Sequence, residues 1–329
     1  MLSPAPAPSG VTLYWIQSYR DPYPHTDVYE RQVLGRCRDA CAAVGMELRV
    51  VSVDDVVVAQ RGGDRAVVVE GRRISPRSAF FHTKFVSWPA YETDAWRHLT
   101  TYEVLEAAGF CVTVPALHSI LGNDKLLSVL GRRGCGVPAV PTVRLCTRGI
   151  DARGLDPAVW GLDFPLVVKP SSWGGGMAVF VVHGRAELAA VLQLAGAGEL
   201  TVVLQPWLGP GVVDVRVYCV DGEPYAALSR TAVAPGAAGN VAQGGRGEMT
   251  DVPEALDGPA RRIARAVGLP YVCADFLTVG GRYWFSELEL DGGTGTGGPE
   301  LTRARFGAYR TRFERFLADP GTSGRWRYV

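Results

Sequence analysis

Lysine is almost missing from this chain. Of its 34 basic residues only Lys84, Lys125 and Lys169 are lysine, and the rest are arginine. Where nearly every cation is a guanidinium, a retained lysine marks a place that needs a compact ammonium and not a broad planar fork. Net charge is also lacking: the formal value is +1 with both signs interspersed, which excludes a nucleic-acid surface or a polybasic membrane anchor. There is no CxxC pair. The seven cysteines are an odd number without metal-ligand spacing, so they read as buried free thiols of a reducing, cytoplasmic compartment. Nothing reads as a membrane span, and the opening MLSPAPAPSG, with neither a basic start nor an apolar stretch, is expected to be a loose tail over 1–10. What is present, 47% apolar and 20% charged residues in 329, suits a soluble globular protein of two or three domains.

The chemistry is expected in the stretch YVCADFLTVGGRYWFSELELDGGTGTGG, from Tyr271 to Gly298. Two apolar, aromatic-rich runs flank Gly280 and Gly281, a hairpin signal. Into them are set Asp275, Glu287 and Glu289, carboxylates that are costly to bury without a cation. A two-residue loop would place Asp275 opposite Ser286 and turn Glu287 away. A three-residue loop, Gly280 to Arg282, puts Asp275 opposite Glu287 and is the register adopted here. Three carboxylates on one face, with few counter-charges evident in the strands, describe a magnesium site completed by phosphate oxygens. The competing reading is a sheet edge with solvated acids.

In chain order, Val11 to Gln17 reads as a strand, Asp27 to Val44 as a helix and Met46 to Val53 as a second strand, a β-α-β opening that favours a parallel sheet. Strands near Ala66 to Glu70 and Ala79 to Phe85, a helix from Tyr91 to Ala108 and a strand from Phe110 to Val114 complete an α/β domain over 11–121. Within it His82 and Lys84 could line a cleft or form a strand-end salt bridge. From Gly122 the text changes: an Asn123 cap, a helix with Lys125 in its first turn, then a connector with Gly134, Gly136, Pro138 and Pro141. A cation in a helix's first turn opposes the dipole unless it serves an anion nearby. FPLVVKPSSWGGGMAVFVV gives a strand ending in Lys169, a loop with Ser171, Ser172, Gly174, Gly175 and Gly176, and a returning strand. Hydroxyls, backbone N–H groups and permissive glycines suit a loop that folds over phosphates. Pro206 opens a linker in which Trp207 and Leu208 could offer main-chain groups and an apolar wall to a base. Asp214 and Arg216 share one strand face. Arg230 closes the next strand, before a glycine-rich candidate lid that carries Asn240, Gln243 and Arg246. A helix opened by Asp257, Gly258 and Pro259 precedes the acidic hairpin, and another spans Pro299 to Leu317.

From about Gly122 to Ala318, some sixty per cent of the chain, this order of parts resembles the ATP-grasp superfamily, in the branch containing the ribosomal-protein glutamate ligase and the lysine-biosynthesis carrier-protein ligase. The matching pieces are NDKLLSVL with GVPAVPT, FPLVVKP with its glycine loop, VVLQPWL, DVRV, the Arg230 to Asn240 spacing, and Asp275 with Glu287. The resemblance implies an α/β architecture, with an N-terminal parallel domain before a two-lobed module (122–205 and 206–318, with a tail at 319–329) that holds nucleotide between two sheets. It implies that Lys125 and Lys169 contact ATP phosphates under the glycine loop, that Gln205, Trp207 and Leu208 surround adenine, and that Asp214 lies near the ribose. It further implies that Asp275, Glu287 and Glu289 bind two magnesium ions, manganese being the alternative, and that Arg230, Arg216 and Asn240 act at the reacting phosphoryl group.

Two departures stand out. The branch usually carries Asn where this chain has Glu289, and the DGG that follows replaces a Ser-Pro-Gly type of ending. The implied activity is ADP-forming activation of a carboxylate as an acyl phosphate, followed by attack of an amine, with an amino acid or small peptide among the substrates. No residue stands out as a general base. A cyclase, a small-molecule kinase and a non-catalytic nucleotide-binding module are the alternatives, and a homo-oligomer is compatible with all of them.

Overall fold

In a computed structural model the described residues are 10–17, 30–83, 92–130, 134–231, 245–293 and 297–320. The first sheet is parallel, in the order β2-β1-β6, from β1 (Val11–Gln17), β2 (Met46–Ser52) and β6 (Ala79–Thr83). A π-helical turn, Glu30–Leu34, leads into α1 (Gly35–Ala43), which makes the β1-to-β2 crossover. Between β2 and β6 lies an antiparallel meander that the sequence reading only half resolved: β3 (Val56–Arg61), β4 (Asp64–Val69) and β5 (Arg72–Ile74). Helix α2 (Glu92–Ala107) follows. The strand expected from Phe110 to Val114 shrinks to a single parallel bridge between Phe81 and Val112, because α3 (Ala116–Asn123) begins immediately afterwards.

A second correction concerns the helix that carries Lys125. Asn123 ends α3, and Asp124 caps α4 (Lys125–Leu130), its Oδ1 accepting from the backbone N–H of Leu126 and of Leu127 at 3.0 Å. The next lobe is a four-stranded antiparallel sheet in the order β7-β10-β8-β9, from β7 (Val143–Cys146), β8 (Leu166–Pro170), β9 (Phe180–Val182) and β10 (Thr201–Pro206). Helix α5 (Arg185–Ala197) covers it, burying Leu188 and Leu192.

The last sheet has five antiparallel strands in the order β13-β12-β11-β14-β15, from β11 (Val213–Val220), β12 (Glu223–Thr231), β13 (Arg246–Thr250), β14 (Tyr271–Val279) and β15 (Arg282–Glu289). One edge is closed by the connector after α4, with Phe285 N–H donating to Pro138 O and Val140 N–H to Phe285 O. Helix α6 (Glu254–Val267) starts before the expected Asp257 and carries Pro259 inside it. Its buried stripe, Leu256, Ala260, Ile263 and Val267, keeps helical spacing through the proline and packs on the sheet. Helix α7 (Gly298–Ala318) returns to the first sheet, where Phe313 stacks on Phe80 at 4.5 Å. Val11, Trp15, Phe80, Tyr271, Phe306, Tyr309 and Phe316 therefore share one core across the boundary expected at 121.

Candidate active site

The acidic hairpin has the expected pairing for an unexpected reason. Its loop is the two-residue Gly280–Gly281, both at positive φ (56° and 75°), with Val279 paired to Arg282. That register would set Asp275 opposite Ser286, but a bulge at Ser286 shifts it, and Asp275 faces Glu287. The extra residue also switches side-chain parity. Phe285 and Leu288 enter the core, while Glu287 and Glu289 are left half-buried on the other face.

The expectation of few counter-charges is wrong. Arg216 on β11 sits directly beside Asp275 on β14, and Arg230 on β12 lies opposite Asp214 on β11. Arg216 grips Asp275 with two bonds, Nε to Oδ1 at 2.8 Å and Nη2 to Oδ2 at 2.6 Å. Arg230 Nη2 donates to the same Oδ2 at 2.7 Å and to Asp214 Oδ1 at 2.8 Å. Burial pushes the Asp275 carboxyl up, but the guanidiniums of Arg216 and Arg230 outweigh it and hold the group below the usual carboxylate range. Asp214 goes the other way: burial raises it in spite of Arg230.

Two lysines lie near this cluster, Lys125 on α4, which packs on β15, and Lys169 on β8 of the other sheet. Lys125 Nζ donates to Trp173 O at 2.5 Å and stands 3.7 Å from Glu287 Oε2. Its backbone N–H donates to Ser171 O, and Ser171 N–H donates to Thr201 O, so the glycine loop is pinned at its root to α4 and β10. Ser171 is buried and Ser172 exposed, while Gly174, Gly175 and Gly176 are half-buried, the last two at φ 67° and 73°. Lys169 on β8 is half-buried, yet its ammonium makes no hydrogen bond or ion pair among the described residues. Burial lowers its pKa and Lys125 adds to this, against the opposing fields of Glu287, Asp214 and Asp275.

Gln205 is spent on the protein itself: it is buried, and Nε2 donates to Thr142 Oγ1 at 2.8 Å. Trp207 and Leu208 are half-buried just beyond β10. Asn240 and most of the candidate lid lie outside the described residues, as does Lys84. His82 lines no cleft; it is fully buried between Thr113 Oγ1 (2.7 Å) and the guanidinium of Arg305 on α7 (3.2 Å).

Among the described residues no group of three His, Cys, Asp or Glu side chains is gathered to hold a metal. Glu289 is instead 3.7 Å from Arg216 Nη2, and burial, with Asp291 adding to it, raises its carboxyl to about 8. The oxygen donors still suit a hard cation. An ionised carboxylate offers about four acceptor directions, and the three arginine bonds to Asp275 leave one on Oδ1. The anion side fits better still: among the described residues neither the Lys169 ammonium nor the buried Arg230 Nε has a hydrogen-bond partner. Sequence reasoning missed Asp291 and the role of Gly292. A Cβ on Gly292 would collide with Arg216 Nη1 and Glu289 Cγ, so the unusual DGG ending is what lets the guanidinium reach Asp275.

Residues 123–298, more than half of the chain, match the RimK-like ATP-grasp domain. The chain belongs to that family. Among curated proteins it is 32% identical over 101 residues to the D-alanine–D-alanine ligase of Sodalis glossinidius, covering 31% of this chain and 28% of that one. It is 25% identical over 260 residues to the human beta-citrylglutamate synthase B, covering 78% of this chain and 64% of the relative. These matches thus span less than two thirds of the relatives' own lengths. A solved D-cycloserine synthetase superposes with a TM-score of 0.63 at 18% identity, over 91% of this chain and 99% of that one, a likeness of fold.

Proposed function

We propose that the protein is an ADP-forming ligase that activates a carboxylate with ATP and joins it to an amine, the substrates being small molecules or a peptide. The observation that carries this is Lys169: a half-buried ammonium with no hydrogen-bond or ion-pair partner among the described residues, in the fields of Lys125 and Glu287. A cation held so, with its pKa depressed by burial, is costly in the free protein. An entering polyphosphate removes the cost.

Bound ATP and magnesium supply the phosphoryl group, and the charge neutralisation, by which a carboxylate becomes an acyl phosphate that an amine can attack. Lys125 and Lys169 would hold the phosphates, with the glycine loop, whose Trp173 O already accepts from Lys125, beside them. Glu287, the free Oδ1 direction of Asp275 and Glu289, once released from Arg216, would hold the metal. Arg216 and Arg230 are fixed by Asp275, so their remaining N–H groups are already oriented toward developing negative charge and need not reorganise. Trp207 and Leu208 form the wall for the base. Asn240 acts with Arg230 at the phosphoryl group.

The test is Lys169→Arg, with Glu287→Gln beside it. Without nucleotide, Lys169→Arg is expected to melt as the parent does. Small misplacements of reacting groups slow chemistry by about a hundredfold, so ATP affinity or ADP release should fall on that scale. Glu287→Gln should stay folded and release no ADP. Calorimetry with ATP and an ADP-release screen across amino acids and short peptides read both. Normal ATP affinity and rate in Lys169→Arg would move the phosphate site elsewhere.

A further inference from the structure

Beyond the end of β15 the main chain is held carbonyl by carbonyl. Asp291 O accepts from Arg305 Nη1 at 3.2 Å, Gly292 O from the Tyr271 hydroxyl at 2.8 Å and Gly293 O from Gly297 N–H at 2.9 Å. The opposite side of the segment is closed by contact. A Cβ on Gly293, at φ 79°, would stand 2.5 Å from Tyr218 Cε1, and one on Gly292 would collide with Arg216 Nη1.

Arg305, on α7, is the centre of this arrangement. It is 2% exposed, with its guanidinium carbon 4.6 Å from the Tyr271 ring, 5.4 Å from that of Tyr309 and 5.7 Å from that of Trp15. Its Nε donates to the Tyr309 hydroxyl at 2.7 Å, and its Nη2 meets His82 Nε2 at 3.2 Å. A guanidinium can only donate, so His82 Nε2 is the acceptor, and its Nδ1–H donates to Thr113 Oγ1 at 2.7 Å. Burying a cation is costly, and apolar side chains of like volume often pack as well or better. Phe313 and Phe80 already join α7 to the first sheet without one. What Arg305 adds is directed donors, one of which ends on the segment beside the Arg216–Asp275 pair.

Resting on the ligase reading above, we propose that Arg305 and Tyr271 are positioning residues for phosphoryl transfer: by fixing the carbonyls of Asp291 and Gly292 they lay Gly292 against Arg216 and brace its guanidinium on Asp275. Arg216 is then held from two sides, by its two bonds to Asp275 and by main chain behind it. The first domain shares in the brace through His82. The effect belongs to rate and not to nucleotide affinity, since it acts on Arg216 and not on the lysines assigned to the phosphates.

Two variants of the full chain test this. Tyr271→Phe removes one hydroxyl and keeps the ring under Arg305, and Arg305→Lys keeps the charge and loses the fork. With isotope-labelled arginine, the Nε–H signal that disappears in Arg216→Lys identifies Arg216 in the magnetic resonance spectrum. Its hydrogen exchange should quicken by about tenfold in Tyr271→Phe, the scale of one lost hydrogen bond. Partners that orient the groups of a site commonly cost about 10–100-fold in activity when lost, so kcat for ADP release should fall on that scale with the KM for ATP unchanged. Tyr271→Phe carries the proposal if Arg305→Lys misfolds. A merely structural role would lower the melting midpoint and leave the Arg216 exchange and the kcat of the folded protein as they were. That result, or a raised KM for ATP with kcat unchanged, overturns the proposal. A parent that releases no ADP with any amino acid or short peptide defeats the ligase reading, and the Arg216 exchange then still decides whether the brace exists.

Discussion

Glu106, on α2, is half-buried, and its carboxyl is pushed up to about 7, chiefly by burial and then by Glu103, against a bond from the Ala116 backbone. A carboxyl that is raised in the folded state favours folding below its unfolded value, and the benefit is lost as pH rises through the folded one. Glu106→Gln, which keeps the acceptor and removes the charge, should therefore raise the melting midpoint at pH 8 and leave it unchanged at pH 4. Discounted for solvent screening, the gain is about 1 kcal/mol. Equal midpoints for parent and variant at pH 8 would refute it. Single residues were legible where composition isolates them. Scarcity alone drew Lys125 and Lys169 out of the sequence, and both lie in the field of Glu287. Arg216 and Arg230 stand 59 and 45 residues from Asp275, and no local pattern ties a carboxylate to cations so distant. The cluster was therefore read as a bare metal site.

At the scale of elements, the β14–β15 hairpin shows how a correct pairing can follow from an incorrect loop. Alternation along each strand is readable, but a bulge adds one residue without leaving a residue signature, and here it falls on an ordinary serine, Ser286. The segment after it is tested by Gly292→Ala. Its φ lies outside the left-handed region, so the strain is one of contact: the methyl meets Arg216 and Glu289. Arg216 should be driven from Asp275, with a cost of about 1–3 kcal/mol as for other overpacked sites and a loss of ADP release beyond what the melting change explains. A variant with parental melting and rate would show that the Arg216 to Asp275 grip is dispensable. The α3–α4 break was misplaced by one residue because Asn123 and Asp124 are both good caps, and only Asp124 is reached by the free N–H groups of α4.

Over the whole molecule, the two-lobed module was legible because its motifs recur in order, whereas the packing of α7 on the first sheet was not. Aromatic residues near the two ends of the chain carry no mark of being neighbours. Phe313 is fully buried against Phe80, and Phe313→Ala should cost about 3–5 kcal/mol. The loss should appear in one cooperative transition, with tryptophan fluorescence and far-ultraviolet dichroism coinciding in urea. An early, separate transition of the first domain would show that the shared core does not couple the two parts.

That shared core also imposes a timetable on synthesis. His82 and its partner Arg305 are separated by 223 residues. At about 5–20 residues per second, a ribosome needs roughly 10–45 s to deliver the second after the first. For that interval the α7-facing surface of β1 and β6, with Trp15 and Phe80, lacks the helix that will cover it. The growing chain is most exposed to aggregation, and most in need of a chaperone, through the whole translation of its two ATP-grasp lobes and not at the start.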